Sequence, residues 1–150
     1  MPRVSFCIPT HDGNAKCQQY LFDIFFALAN QSCKDFNVWI SDHSKSDKIL
    51  KACQEYADVF EINFVKNTNK LGNISANTNH ALRCADGDIL KVLFSDDFIL
   101  TKNLVSELDK AFASDASWAV TGFAHTYTDG QQHYNPKIPV YNDRLLEGIN

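Results

Sequence analysis

The feature that most constrains this chain is a regular alternation of short apolar runs with segments whose apolar residues recur at helical spacing. Residues 3–9 (RVSFCIP) form a short apolar run closed by proline, which predicts a buried strand. His11-Asp12-Gly13-Asn14 then carries turn chemistry. Apolar residues follow at 17, 20, 21, 24, 25 and 28, the stripe of an amphipathic helix. The same reading predicts strands over 36–40, 60–65, 88–94 and 118–123. Helices are expected around Ile49, Leu50, Cys53, Tyr56 and Ala57, over 75–85 with Gly87 as a stop signal, and over 104–112 with Thr101 as the cap. Asp129-Gly130 reads as a hairpin turn. Strands that alternate with helices in this way imply βαβ units: an α/β fold with a mostly parallel central sheet, helices on both faces and a C-terminal hairpin.

At 150 residues the chain has room for one domain, and 1–150 is expected to be a single unit. Its 45% apolar and 21% charged content excludes a disordered chain and a coiled coil. A net charge of −4 gives no general electrostatic reason to bind nucleic acid or anionic lipid. No run reaches the roughly 18–20 apolar residues of a membrane span. The richest stretch, 20–29, is interrupted by Asp23, and no signal-peptide pattern opens the chain, so the expectation is a cytoplasmic protein. The five cysteines include no Cys-x-x-Cys, and the histidines supply no paired zinc spacing, so reduced, buried thiols are expected.

In parallel sheets of this kind ligands bind beyond the C-terminal ends of the strands. The polar loops there are Thr10-His11-Asp12, Asp42-His43-Ser44 and Ser95-Asp96-Asp97. No G-x-G-x-x-G or P-loop is present, so a diphosphate bound at this edge would need a divalent cation to neutralise it. Asp96-Asp97 is the natural place for one, because hard cations take carboxylate oxygens. Taken singly, an Asp-Asp pair is more often an ordinary turn, and Asp42 could merely cap a helix. The weight lies in three such loops meeting at one edge.

These segments resemble family-2 glycosyltransferases of the GT-A fold. Residues 4–12 (VSFCIPTHD) resemble the opening V-S-I-I-I-P-T-Y-N. Ser41-Asp42-His43-Ser44-Lys45-Ser46-Asp47 resembles V-D-D-G-S-T-D, and Asn79-His80-Ala81-Leu82 with Ala85-Asp86-Gly87-Asp88-Ile89 resembles N-x-G-L followed by A-x-G-E-Y-I. Leu93-Phe94-Ser95-Asp96-Asp97 falls on L-D-x-D-D. The resemblance implies that Pro9, Thr10 and Asp12 line the donor nucleotide, that Asp42 contacts the nucleobase, and that Asp96 meets the ribose. It also implies that Asp97, with Asp96, holds Mn²⁺ or Mg²⁺. The implied reaction is inverting transfer of a sugar from a nucleotide-diphosphate donor, with UDP-linked sugars as the expectation, to a hydroxyl of a glycan or lipid-linked acceptor. Self-association is left open.

The sequence departs from the family at Phe94, which stands for the first carboxylate of D-x-D-D, at His43 and Ser44 within D-D-G-S, and at Thr78, where an arginine is frequent. No catalytic base is assigned. The family's base lies downstream, and Asp115, Asp129, Asp143 and Glu147 have no motif context. The chain ends at Asn150, where the acceptor-binding part would be expected, so it reads as a donor-binding half. The alternative is a non-catalytic nucleotide-sugar-binding or interaction module. A phosphorelay receiver is set aside, because strand three runs into Lys66-Asn67 without the phospho-acceptor aspartate.

Overall fold

The computed structural model describes residues 3–13 and 16–122, together with the backbone of 124–126 and 132–134. The chain divides into two compact units, Met1–Lys110 and Ala111–Asn150. The first holds a four-stranded sheet built from β1 (Val4–Thr10), β2 (Phe36–Asp42), β3 (Ile62–Lys66) and β4 (Ile89–Val92). The order is β3-β2-β1-β4 and every pair is parallel. Helices α1 (Cys17–Ala29), α2 (Lys48–Tyr56), α3 (Ile74–Cys84) and α4 (Leu104–Ala111) separate or follow the strands.

Side chains alternate across a strand, so β1 and β2 sort their residues onto two faces. Val4, Phe6 and Ile8 of β1 lie beside Phe36, Val38 and Ile40 of β2. Phe6 meets Phe36 edge-on, Phe36 meets Phe60, and Phe60 packs on Phe25 of α1 and Tyr56 of α2. This face is therefore covered by α1 and α2. The opposite face carries Ser5, Cys7 and Pro9 beside Asn37, Trp39 and Ser41. It meets α3, whose Asn77 and His80 both hydrogen-bond the Ser41 hydroxyl. With both faces covered, all seven residues of β1 are buried.

Burial also governs the thiols. Cys7, Cys17 and Cys53 are buried and free, and desolvation pushes Cys7 and Cys53 up to about 12.

The strand boundaries shift in one consequential place. Strand two runs to Asp42 rather than ending at Ile40, so Asp42 is a sheet residue between Thr10 and Lys66. Gly87 also has a different role from a helix stop, since α3 ends at Cys84. Its N–H donates to Ser5 Oγ at 2.8 Å, and a Cβ there would sit 2.6 Å from that oxygen and 2.7 Å from the Ser5 backbone nitrogen. Backbone cannot yield as a flexible side chain does. Gly87→Ala is expected to cost about 1–3 kcal/mol of stability, read as a lower denaturation midpoint.

In the second unit, β5 (Ala124–Thr126) and β6 (Gln132–Tyr134) form an antiparallel pair with His125 opposite His133. This agrees with the expected hairpin, whose Asp129-Gly130 turn lies outside the described residues. The strand expected over 118–123 is corrected: 118–122 are irregular, and 123 lies outside the described residues. An apolar run marks burial potential, but a strand also requires a partner for its backbone groups, and none pairs with 118–122 among the described residues.

Candidate functional site

All four strands of the sheet are parallel, so the C-terminal ends of β1, β2 and β4 share one edge. A cavity of about 320 Å³ opens there. Pro9, Thr10 and His11 line it from the end of β1, and His43 from the end of β2. Ser95, Asp96 and Phe94 come from the loop after β4, while Gly72, Ile74 and Asn77 contribute the start of α3 and the turn before it. Gly72 has φ 78°, and Asn73 caps α3 by accepting the Ala76 N–H at 2.9 Å.

The edge is held together by Asn77, which is 3% exposed. Its amide nitrogen donates to the carbonyls of Thr10 and Ser41, at 3.1 and 2.9 Å. Its amide oxygen accepts from the Ser41 hydroxyl at 2.7 Å and from Asn67 at 3.2 Å. One side chain thus ties β1, β2 and the turn after β3 to α3. Nothing in the sequence pattern singles Asn77 out, because its role depends on carbonyls distant in the chain.

The expected site residues separate into two groups. Pro9, Thr10 and Asp96 line the cavity. Asp12, Asp42 and Asp97 do not lie on its wall. Asp12 accepts from the Ser46 hydroxyl and backbone N–H, and the hydroxyl bond holds its carboxyl below the usual range. It fastens the turn after β1 to the loop after β2. Asp97 Oδ2 accepts from the Phe94 N–H at 3.2 Å, closing the turn after β4 while the residue stays exposed.

Asp42 differs most from the expectation of a base contact. It is fully buried. One carboxylate oxygen accepts from the Thr10 hydroxyl at 3.0 Å, the Ser44 N–H at 3.0 Å and the Ser44 hydroxyl. The other accepts from Lys66 Nζ at 2.9 Å. Both oxygens are thus engaged inside the protein. Asp42 builds the wall behind the cavity, and the next residue, His43, reaches the cavity surface.

His43 is 3% exposed, and its backbone N–H donates to the Thr10 carbonyl at 3.0 Å. Desolvation holds its ring below the ordinary histidine value of 6.5, against a backbone hydrogen bond at Asn69 that favours the protonated form. The remaining influences come from His11 and His80, which lower it, and from Asp42, which raises it. The ring is therefore neutral at pH 7. Its Nε2 is buried without a hydrogen-bond partner.

Among the described residues, no group of three or more His, Cys, Asp or Glu could hold a metal ion. What the edge does offer is two exposed carboxylates, Asp96 and Asp97, in consecutive positions of one turn. None of the helices among the described residues is long and apolar enough to cross a membrane.

The comparisons with known proteins agree with this architecture. The chain is 32% identical over 120 residues to a chondroitin synthase of Escherichia coli, covering 79% of this chain and 16% of that protein. It is 27% identical over 128 residues to a Campylobacter jejuni GalNAc(5)-diNAcBac-PP-undecaprenol beta-1,3-glucosyltransferase, covering 85% of this chain and 38% of that protein. It therefore spans well under half the length of either relative. Among solved structures, S. aureus TarS 1-349 in complex with UDP superposes with a TM-score of 0.64 at 22% identity, over 74% of this chain and 32% of that one. The mannosyltransferase PcManGT of Pyrobaculum calidifontis, in complex with GDP-Man and Mn2+, gives 0.66 at 22% identity, over 83% and 36%. These likenesses establish the GT-A type of fold that the motifs imply. The family described as Glycosyl transferase family 2 matches residues 5–148, nearly the whole chain. A parallel sheet with a cavity at its C-terminal edge, the ordered motifs and this match lead to one conclusion: the chain belongs to glycosyl transferase family 2.

Proposed function

We propose that this chain binds the nucleotide-diphosphate end of a sugar donor, UDP-linked, in the cavity at the sheet edge, and is the donor-binding part of a glycosyltransferase. The observation that carries this reading is that cavity, walled by Pro9 and Thr10 on one side and by Ser95 and Asp96 on the other. Two similar structures support it by what they contain, UDP in TarS and GDP-Man with Mn2+ in PcManGT. The reaction assigned is inverting transfer to a hydroxyl of a glycan or lipid-linked acceptor.

The donor set fits a divalent cation of one kind. A fully protein-ligated site is absent among the described residues, but Mn²⁺ or Mg²⁺ commonly takes one or two carboxylates and completes its shell with substrate phosphates and water. Asp96 and Asp97 would hold the ion on the protein side. When bound, the ion would act as a Lewis acid on the departing diphosphate. The chain's own residues bind and orient. Asn77 fixes the ends of β1 and β2, Asp12 and Ser46 lock the first loop to the second, and the Asp97–Phe94 turn sets the position of Asp96.

Because the ion would need both protein and nucleotide, UDP and Mn²⁺ are expected to bind cooperatively. Calorimetric titration of UDP should show at least about tenfold tighter binding with Mn²⁺ than with EDTA, a difference of about 1.4 kcal/mol. Asp97→Ala should remove most of that difference while the sheet stays folded, although it also releases the Phe94 N–H that closes the turn after β4. Equal affinity with and without the ion contradicts the metal assignment.

A further inference from the structure

A second cavity, of about 450 Å³, lies along α1 and has no part in the site described above. Phe26 and Ala27 of α1 wall it on one side, and Phe98, Ile99 and Leu100 on the other. Phe26 falls outside the stripe that α1 buries and is 67% exposed, while Phe98 and Leu100 are 49% and 53% exposed. Single exposed apolar residues are ordinary on a protein surface, but three bulky ones around one concavity point to something that covers them.

The wall opposite α1 is built before any ligand arrives. The buried Gln31 side chain donates to the Thr101 carbonyl at 2.8 Å and accepts the Val105 N–H at 3.3 Å. The Ser32 N–H donates to the Lys102 carbonyl at 2.7 Å. At the other end of the segment, the Asp97 N–H donates to the Phe94 carbonyl at 3.0 Å. Residues 98–100 are thus held between two anchored ends, which lowers the cost of ordering the groove around a ligand.

Size and chemistry narrow the occupant. The volume and the mostly apolar, aromatic lining are those of a small-molecule site. Asp23 and Lys102, the charged residues of the lining, are of opposite sign, so the groove has no net charge to draw an ionic ligand. Three partly exposed side chains fall well short of the roughly 800 Å² per partner that a stable protein interface buries, which argues against a second copy of the chain. A narrow hydrocarbon chain needs no such area. The groove is also continuous with the site: the stretch that walls the donor cavity with Phe94, Ser95 and Asp96 runs on into the groove at Phe98.

We propose that this groove receives the hydrocarbon chain of a lipid-linked acceptor and so holds the acceptor's head beside the donor. The inference rests on the donor-binding reading above, and deepens it by choosing the lipid-linked class of acceptor and naming where its chain lies. Each methylene taken from water adds a similar increment, so affinity rises with chain length while the groove fills.

The test is a calorimetric titration of the full chain, with UDP and Mn²⁺ already present at saturation, by inorganic diphosphate, geranyl diphosphate and farnesyl diphosphate. Farnesyl diphosphate is expected to bind at least about tenfold more tightly than geranyl diphosphate, and inorganic diphosphate more weakly than either. Phe26→Ser combined with Leu100→Ser removes exposed side chains only. It should weaken farnesyl diphosphate at least about tenfold and leave UDP affinity unchanged. The wild-type series decides the matter even where the variant fails to fold. Equal binding of the three diphosphates by the wild type overturns the proposal and leaves the donor-binding reading standing. A wild-type dimer that the double substitution dissociates, read by sedimentation, overturns it in favour of self-association. Capture by phosphatidylcholine vesicles free of isoprenoid lipid, lost in the same variant, overturns it in favour of membrane docking. Failure of UDP to bind is read before any lipid is added and overturns the donor-binding reading instead.

Discussion

Asp42→Ala is expected to destabilise the protein by about 3–5 kcal/mol, the cost of breaking a buried, hydrogen-bonded ion pair. The carboxylate receives the Thr10 hydroxyl, the Ser44 N–H and hydroxyl, and the Lys66 ammonium. Truncation leaves those donors without their acceptor. Lys66 is 37% exposed and can recover part of its hydration, so much of the loss falls on the Thr10 and Ser44 groups, which are buried. Asp42→Asn keeps an acceptor oxygen for Thr10 and Ser44 while losing the charge, and should be affected less. Denaturant unfolding separates these expectations: the midpoint should fall for both variants, further for alanine, with the slope unchanged. An alanine variant as stable as the wild type would mean that this carboxylate does not hold the sheet edge.

Phe25→Ala is expected to cost about 3–5 kcal/mol as well, through lost burial and the cavity left behind. Phe25 is fully buried in α1, with its ring centroid 5.3 Å from Tyr56 and 5.8 Å from Phe60. Those rings bind α1 to α2 and, through Phe36, to the sheet. The same unfolding experiment measures it. A loss below about 1 kcal/mol would show that the cluster relaxes to fill the space. The two variants have similar magnitudes from opposite causes, one an unpaired polar network and the other a void in an apolar core.

Their legibility in the sequence differs for the same physical reasons. Phe25 can be found from the chain alone. Apolar residues at 17, 21, 24, 25 and 28 share one helical face, and all five are buried in α1. The strand–helix alternation likewise leads directly to the parallel sheet, because each amphipathic element must bury its apolar side against another. The polar loops at the strand ends were also readable, and Pro9, Thr10 and Asp96 do line the cavity.

What the sequence conceals is partnership. Asp42 reads as a loop carboxylate until the register sets it between Thr10 and Lys66. Asn77 and Ser41 lie 36 residues apart, and no local pattern shows that one amide serves both strand ends. Gly87 reads as a helix stop, but it is the close approach to Ser5 that excludes a side chain there. His43 stands out in sequence only as a departure from the family pattern, while its unpaired nitrogen is a property of the folded wall.

The proposed function requires this edge to bind a nucleotide diphosphate together with a divalent cation. The most direct test is equilibrium unfolding of the chain with UDP at about a hundredfold excess over its dissociation constant, in Mn²⁺ and in EDTA. In Mn²⁺ the wild-type chain should gain about 2.7 kcal/mol of stability. At the same UDP concentration in EDTA the gain should be clearly smaller. No stabilisation in Mn²⁺, or the same stabilisation in EDTA, would contradict the proposed function.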